Sequence, residues 1–174
     1  MRRKLKSKRI LLPDSEYQSV PVAKLINYLM EKGHKVVARG IVYDAFDQIA
    51  ASAKGGSASG GKKAPLEVFE KALENAGPVL EIKTRRVGGA NYQIPHEVSP
   101  ERRLTLALRW LLEFARAKKG KPMSQKLAEE IIAASKNEGE TIKRRENVHK
   151  MAEANRAFAH FARTASKKPA VVRH

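Results

Sequence analysis

Cysteine is absent from the sequence, and so is any long uncharged apolar segment. Without thiols the chain can form neither a disulfide bond nor a thiolate zinc site. Charged residues interrupt every apolar stretch before it reaches the roughly 20 residues of a transmembrane helix. The basic N-terminus lacks the apolar core of a signal peptide, and no helix pattern resembles a membrane-surface helix. We therefore expect a cytoplasmic protein with no membrane partner.

Residue clusters for catalysis or metal binding are equally scarce. The histidines are His34, His96, His149, His160 and His174. They form neither an i, i+4 pair nor an HExxH motif. His149 and His160 lie about 16 Å apart on one predicted helix, so they cannot share an ion. The glycine pairs lack the spacing of a phosphate-binding loop. The sequence therefore predicts no metal, no cofactor, no small-molecule substrate and no enzymatic activity.

Acidic residues are few, and basic residues dominate the charge balance. Lys and Arg number 35 against 18 Asp and Glu, which gives a formal net charge of +17 and a pI of about 10.3. Such an excess repels itself and is typical of proteins that bind a polyanion. A basic surface that only aids solubility is the alternative, although +17 exceeds what solubility requires.

The first residues form a basic arm that contains no carboxylate before Asp14. Like charges at this density keep a segment extended until an anion neutralises them. We predict a phosphate-binding arm; a disordered tail without fixed contacts is the alternative. Its cations are Arg2, Arg3, Lys4, Lys6, Lys8 and Arg9.

Apolar periodicity predicts a mainly α fold, a bundle of six helices with a protruding two-stranded antiparallel β-hairpin between helices 3 and 4. Helix 2 is expected from His34 to Ala53, with Val36 and Val37 in its buried stripe, and helix 6 from Glu140 to Thr164, with Met151 and Phe158 on its apolar side. We expect a single domain over 1–174, with a basic arm (1–19), a helical core (20–164), a ribbon (about 79–95) and a basic tail (165–174). The other predicted helices run from Ser19 to about Glu31, from Pro65 to about Asn75, from Ser99 to Ala115 and from Pro122 or Ser124; Lys54–Lys63 is predicted to be a flexible linker.

The hairpin prediction comes from the sequence EIKTRRVGGANYQI at residues 81–94. Period-two alternation flanks Gly88-Gly89, a pair that tolerates the positive φ of a tight turn. Pro95 is expected to close the hairpin. A two-stranded ribbon is marginally stable alone, so helices must support its base. Tyr92 either stacks on a nucleic-acid base or packs on that support.

Helix 4 begins with the N-terminal signal Ser99-Pro100-Glu101. Arg102 and Arg103 follow in the first turn, where cations oppose the helix dipole, so they are predicted to face a partner. From Leu104 to Ala115 the pattern is apolar on nearly all sides, as in a central buried helix. Trp110 is expected in the core, with base stacking as the alternative.

Separate basic patches suit a folded multi-helix junction better than one straight duplex. If the partner is RNA, whose major groove is too deep and narrow for side chains to read, the protein should recognise shape, junctions and phosphates. A DNA-architectural protein with a basic ribbon is the first alternative, although the tip Val87–Ala90 is a weak apolar wedge. A helical interaction module with a basic surface is the second. Outside the arm, the predicted phosphate contacts are Lys35, Arg85, Arg86, Arg102, Arg103, Arg109, Arg116, Lys118 and Lys119.

The chain also resembles the ribosomal protein seven family of the bacterial small subunit over nearly its whole length. Six stretches carry the resemblance in the order the family has them: Val22–Gly33, Ile41–Phe46, Pro65–Asn75, Pro78–Pro95 (PVLEIKTRRVGGANYQIP), Pro100–Leu112 (PERRLTLALRWLL) and His149–His160 (HKMAEANRAFAH). The chain departs from the family at Gly33-His34-Lys35, where Gly-Lys-Lys is usual, in its longer linker at 54–63, and in its longer tail.

The resemblance implies a structural constituent of the small subunit that binds the 3′ major (head) domain of small-subunit rRNA early in assembly. It implies a place near the exit-site tRNA and the mRNA path, neighbouring small-subunit proteins as partners and, in some members, repression of the operon's own messenger. It assigns Lys83, with Arg85 and Arg86, to rRNA. It puts the following residues near tRNA or mRNA: Val87, Gly88, Gly89, Ala90, Arg144, Arg145, Lys150 and Arg156.

Overall fold

The fold is that of a computed structural model, and the description covers residues 11–53 and 63–160. The elements in chain order are α1 (Val20–Leu29), α2 (Lys35–Ala53), α3 (Lys63–Ala76), β1 (Leu80–Val87), β2 (Ala90–Glu97), α4 (Pro100–Ala117), α5 (Met123–Ser135), α6 (Glu140–Ala154) and a 3₁₀ helix (Arg156–Ala159). The predicted fold class is confirmed: the protein is mainly helical, with six α-helices and a two-stranded antiparallel hairpin between α3 and α4.

The core lies where α2, α3 and α4 pack on α5. Phe46 of α2 and Phe69 of α3 are fully buried, with ring centroids 5.4 Å apart. Leu108 and Leu111 of α4 are buried with them. Each such side chain contributes about 1.5–3 kcal/mol by leaving water. Trp110 is 8% exposed, so the prediction that it belongs to the core is confirmed.

The start of α2 differs from the prediction. Val36 and Val37 were expected in the buried stripe, but they are 80% and 61% exposed. The chain leaves α1 at Leu29 and turns through Gly33 at φ +85° before α2 begins at Lys35. The first turn of α2 therefore projects beyond the neighbouring helices, and burial begins at Ala38.

The hairpin register runs from Leu80 opposite Glu97 to Val87 opposite Ala90. Gly88 and Gly89 have φ +58° and +91°, which suits a two-residue turn whose twist matches the strands. Pro95 does not close the hairpin as predicted. It pairs with Ile82, and the strand continues to Glu97. Proline is tolerated there because each strand of a two-stranded ribbon has a free edge.

Helix α6 and the 3₁₀ helix support the ribbon base. The Tyr92 ring lies 5.3 Å from the Phe158 ring, centroid to centroid, and Ile94 is fully buried. The Val79 amide donates a hydrogen bond of 3.0 Å to Nε2 of His149. Of the two roles left open for Tyr92, packing on the ribbon's support is the one seen in the structure.

Other element ends also differ from the prediction. The last α-helix ends at Ala154, before the predicted Thr164, because the chain tightens into the 3₁₀ helix that brings Phe158 to Tyr92. Met151, expected on the apolar side, is 44% exposed. Helix α3 starts at Lys63 rather than Pro65. The rest of the predicted linker, the basic arm through residue 10, and the tail lie outside the described residues.

Candidate nucleic-acid interface

The cations of β1 divide between the two faces of the ribbon. The register places Lys83 opposite Ile94 and Arg85 opposite Tyr92, so these cations share the face that packs on the helices. Arg86 lies on the other face. Lys83, Arg85 and Arg86 are all exposed, which leaves cationic groups accessible on both sides of the ribbon.

Glu81 joins the ribbon to α4. Its carboxylate pairs with Lys83 Nζ at 2.8 Å and with Arg102 Nε at 3.2 Å. Burial alone would raise the pKa of Glu81, but the hydrogen bonds from Lys83 and Arg102 outweigh it and hold the pKa below its usual value. The carboxylate is therefore ionised at neutral pH, and it partly offsets the two cations it connects.

Three arginines follow one stripe of α4. Arg102, Arg109 and Arg116 are seven residues apart, so they lie on nearly the same face over about 21 Å of helix. The Arg109 guanidinium stands over the Tyr28 ring, 5.7 Å from its centroid. Arg116 Nη2 donates to the Leu29 carbonyl at 3.3 Å and pairs with Glu31 at 3.1 Å. The stripe thus runs from the ribbon base to the end of α1.

Two arginines predicted to lie at or near nucleic acid, Arg103 and Arg145, also donate hydrogen bonds at the C-terminal end of α3. Arg103 donates to the carbonyls of Gly77 at 3.1 Å and Glu74 at 3.0 Å, and Arg145 donates to the carbonyl of Asn75. The last carbonyls of a helix have no intrahelical partner, and cations favour this negative end of the dipole. Arg103 lies in the first turn of α4, where a cation opposes the helix dipole. Its hydrogen bonds at the end of α3 offset this unfavourable interaction within the protein.

The loop after α4 contains a cation that balances a buried acid. Lys118 Nζ lies 2.9 Å from Glu130, which is 1% exposed and also accepts hydrogen bonds from the Thr141 amide and hydroxyl. Burial alone would raise the pKa of Glu130, but Lys118 and Thr141 hold it below its usual value. Lys119, by contrast, is exposed, and the described part of the chain gives it no ion pair.

The part of the arm that the structure describes, from Leu11 onward, lies beside Lys35. Residues Leu11–Ser15 line a cleft of about 370 Å³ with Lys35 and Arg39. Asp14 is buried there and accepts a hydrogen bond of 2.9 Å from the Tyr43 hydroxyl. The Arg39 Nε is buried without a hydrogen-bond partner in the described residues. Lys35 and the described end of the arm, from Leu11 to Ser15, therefore belong to one region of the molecule.

The predicted tRNA- or mRNA-proximal residues fall into two groups. Gly88, Gly89 and Ala90 are exposed at the ribbon tip, and Val87 pairs with Ala90. Lys150 borders a cleft of about 470 Å³ at the ribbon base with Val79 and His149. Arg144 is exposed on α6, and Arg156 is exposed and pairs with Glu153 at 3.2 Å. Ribbon base and α6 therefore meet, whereas the tip lies at the far end.

The sequence reasoning missed two residues beside these cations. Tyr28 contacts Arg109, and its partial exposure places it outside the buried α1 stripe of Val22, Leu25 and Leu29. Arg39 follows Lys35 by four residues. That spacing puts both cations on one side of α2, so the signal was present in the sequence.

The described residues contain no group of three or more histidine and acidic side chains placed to hold a metal ion. Over the same residues, no helix is long and apolar enough to cross a membrane.

A helical body with cations on a ribbon and on the helices beside it defines a basic nucleic-acid-binding class of protein. The family model described as "Ribosomal protein S7p/S5e" matches residues 1–156. The protein named small ribosomal subunit protein uS7 of Thermotoga maritima is 56% identical over 161 residues, 92% of this chain and 99% of the relative. Relatives of the same name from Chloroflexus aggregans and Marinobacter nauticus are 52% and 49% identical, over 93% and 92% of this chain and 98% and 97% of their own.

The chain belongs to the ribosomal protein S7p/S5e family. It is a structural constituent of the small ribosomal subunit, located in the cytoplasmic ribosome, and not an enzyme. The resemblance stated from the sequence is thereby confirmed. Family membership also decides against a DNA-architectural protein and against a helical interaction module. The individual contact residues remain predictions.

Proposed function

We propose that this chain binds the 3′ major domain of small-subunit rRNA directly and early, and that this binding nucleates assembly of the subunit head. The observation that carries the proposal is the row of cations from the ribbon, through Arg102, to Arg109 and Arg116 along α4. Neighbouring small-subunit proteins are further partners, and the bound position lies near the exit-site tRNA and the mRNA path. Repression of the operon's own messenger is a property of some family members that we do not assign.

The mechanism is recognition of RNA shape and phosphates by patches that point in different directions. Residues at the arm and Lys35, on the ribbon, and along α4 neutralise phosphates of separate strands, which suits a junction of helices. Arg86 and Lys119 are exposed and are assigned to direct contact. Arg103 and Arg145 act indirectly, because their capping of α3 holds α4 and α6 at the positions the other cations need.

The base and the tip of the ribbon are assigned to different RNA partners. Its base cations, Lys83 and Arg85, are assigned to rRNA. Gly88, Gly89 and Ala90 present little side-chain bulk, so the backbone at the tip can approach a second RNA closely. We assign this tip, with Lys150 and Arg156 near the ribbon base, to the neighbourhood of exit-site tRNA and mRNA.

Footprinting of small-subunit rRNA with and without the protein tests the proposal, and we expect protection confined to the 3′ major domain. Binding to that fragment, measured from 50 to 200 mM salt, should follow a slope of log K against log[salt] of about −6 to −7 if roughly eight phosphates are neutralised. A slope near −2, or equal affinity for a bent DNA duplex used as competitor, would contradict the multi-patch mechanism.

The ribbon's share is measured by the double variant Arg85→Ala, Arg86→Ala. We expect weaker rRNA binding and a salt slope reduced by about 2, with unchanged thermal unfolding, because each phosphate contact adds about one counterion. The matched control is Lys71→Ala with Lys136→Ala, which removes the same charge from exposed residues outside the predicted contacts. Equal behaviour of the two double variants would remove the ribbon cations from the rRNA contact.

A further inference from the structure

A cleft between α1 and α4 stands apart from the phosphate-binding pattern. Its volume is about 420 Å³, and its lining is Tyr28, Arg109, Leu112, Glu113 and Arg116. Four of these residues come from α4, and Tyr28 faces them from α1. The lining thus combines an aromatic ring, a buried leucine and three exposed charged side chains. This composition differs from that of the loop after α4, whose cations are Lys118, Lys119 and Lys121.

The Tyr28–Arg109 pair provides flat surfaces. The guanidinium carbon of Arg109 lies 5.7 Å from the Tyr28 ring centroid, within cation–π range. Arg109 is nevertheless an exposed residue, so the contact leaves part of its side chain in solvent. Aromatic rings and arginine planes are the surfaces on which proteins stack the unpaired bases of RNA.

The charges of the cleft argue against a phosphate as its occupant. Arg116 is engaged by the Leu29 carbonyl and by Glu31. Glu113 contributes a carboxylate to the lining, four residues after Arg109 and three before Arg116. Two cations are thus set against two carboxylates, in a protein whose net charge is +17. A phosphate would gain little net attraction there and would meet Glu113.

We propose that the cleft binds one unpaired base of the rRNA, stacked on the Arg109–Tyr28 pair. Leu112 contacts the base within the cleft. Glu113 accepts a hydrogen bond from an exocyclic amino group, as a carboxylate does from the amino group of cytosine. This inference rests on the proposed rRNA-binding function and changes the role of Arg109 from a phosphate contact to a stacking contact.

The test uses the full-length protein and the 3′ major domain fragment of small-subunit rRNA. Arg109→Lys keeps the charge but removes the plane, and Tyr28→Leu keeps apolar bulk but removes the ring. Both should weaken binding roughly five- to a hundredfold with the salt slope unchanged, because stacking releases no counterions. Tyr28→Phe is the matched control and should bind like the wild type, since it keeps the ring.

Chemical probing of the bases supplies a readout that a purely structural role would not move. One unpaired base of the fragment should be protected by the wild type and by Tyr28→Phe, and should become reactive with Arg109→Lys. Thermal unfolding of each variant shows whether the fold is kept. Arg109→Lys changes an exposed residue, so it decides the question even if Tyr28→Leu does not fold.

The opposite results are equally specific. Wild-type affinity and base protection with Arg109→Lys, together with a salt slope reduced by about 1 with Arg109→Ala, would make Arg109 a phosphate contact and overturn the stacking site. If the wild-type protein does not protect the 3′ major domain at all, the proposed function itself fails, which is a distinct result.

Discussion

Substitution of Arg103 tests whether a predicted RNA-contacting cation mainly stabilises the fold or mainly binds RNA. Its Nε and Nη2 donate to the carbonyls of Gly77 and Glu74, and its side chain lies where a Cβ at position 77 would be, with Cγ at 2.7 Å. The change Arg103→Ala removes both hydrogen bonds and the contact with Gly77. It also leaves the Glu74 carbonyl in the last turn of α3, and the Gly77 carbonyl just after the helix, without this donor.

The expected loss in the free energy of unfolding follows from these contacts. Hydrogen bonds from a charged donor contribute about 1.5–3 kcal/mol each when buried. Arg103 is half-buried and water can reach the freed carbonyls, so about 2–3 kcal/mol in total is the better figure, including about 0.3–1 kcal/mol for the cation at the helix C-terminus. For a chain of this length the melting temperature should fall by about 4–12 °C.

Urea unfolding followed by circular dichroism measures this loss. Arg103→Lys should recover part of it, because the charge remains but the forked donor does not. Arg86→Ala is the control: this exposed ribbon cation should leave stability within about 0.5 kcal/mol while weakening rRNA binding. An Arg103→Ala protein with the wild-type urea midpoint and reduced rRNA affinity would refute the assignment of Arg103 to folding.

Three further predictions concern the ribbon base, the start of α6 and the arm. Burial, together with the charges of Arg145 and Arg103, lowers the pKa of His149 in the folded protein. The unfolded chain therefore binds more protons as the pH falls. The contribution of neutral His149 to stability is complete above pH about 6.5 and is lost as the pH falls toward the folded pKa. His149→Ala should flatten the dependence of the urea midpoint on pH from 5 to 8. An unchanged dependence would contradict this role of His149 at the ribbon base. Gly139→Ala should lower stability by about 1–3 kcal/mol in urea unfolding, because φ is +94° and the new Cβ would lie 3.3 Å from the Glu130 carboxylate; a wild-type midpoint would count against it. Deleting residues 1–10 should weaken rRNA binding in filter-binding assays and leave the melting temperature nearly unchanged, whereas a large fall would show that the arm packs on the core.

The elements themselves could be predicted because their signals are local. Apolar spacing along each helix and Gly88-Gly89 between two alternating runs depend on a few neighbouring residues, and the six helices and the hairpin followed from them. The exposure of Val36 and Val37 could not be predicted in this way. An apolar residue on the inner side of a helix is buried only if another element reaches that turn, and this depends on where α1 ends.

The sequence was enough to predict which basic residues form the candidate site, but not which of them make hydrogen bonds within the protein. Charge alone makes Arg86, Arg103 and Arg145 look alike. They differ in their distance from the C-terminal end of α3, where backbone carbonyls accept hydrogen bonds from Arg103 and Arg145. Tyr28 was missed for a related reason: its partner Arg109 is on a different helix, and no local pattern reports a contact between α1 and α4.

The support of the ribbon base has a mechanical consequence. The contacts of Val79, Tyr92 and Ile94 act as a clamp, and only the pairs Arg86–Asn91 and Val87–Ala90 and the turn extend beyond it. At about 3.4 Å per residue this overhang is about 7 Å before the turn. A ribbon bends less when its unsupported length is short, so the helices that hold the ribbon base also set the position of the tip. Substitutions that remove these contacts at the base would then increase the range of positions that the tip adopts, although the tip residues themselves are unchanged.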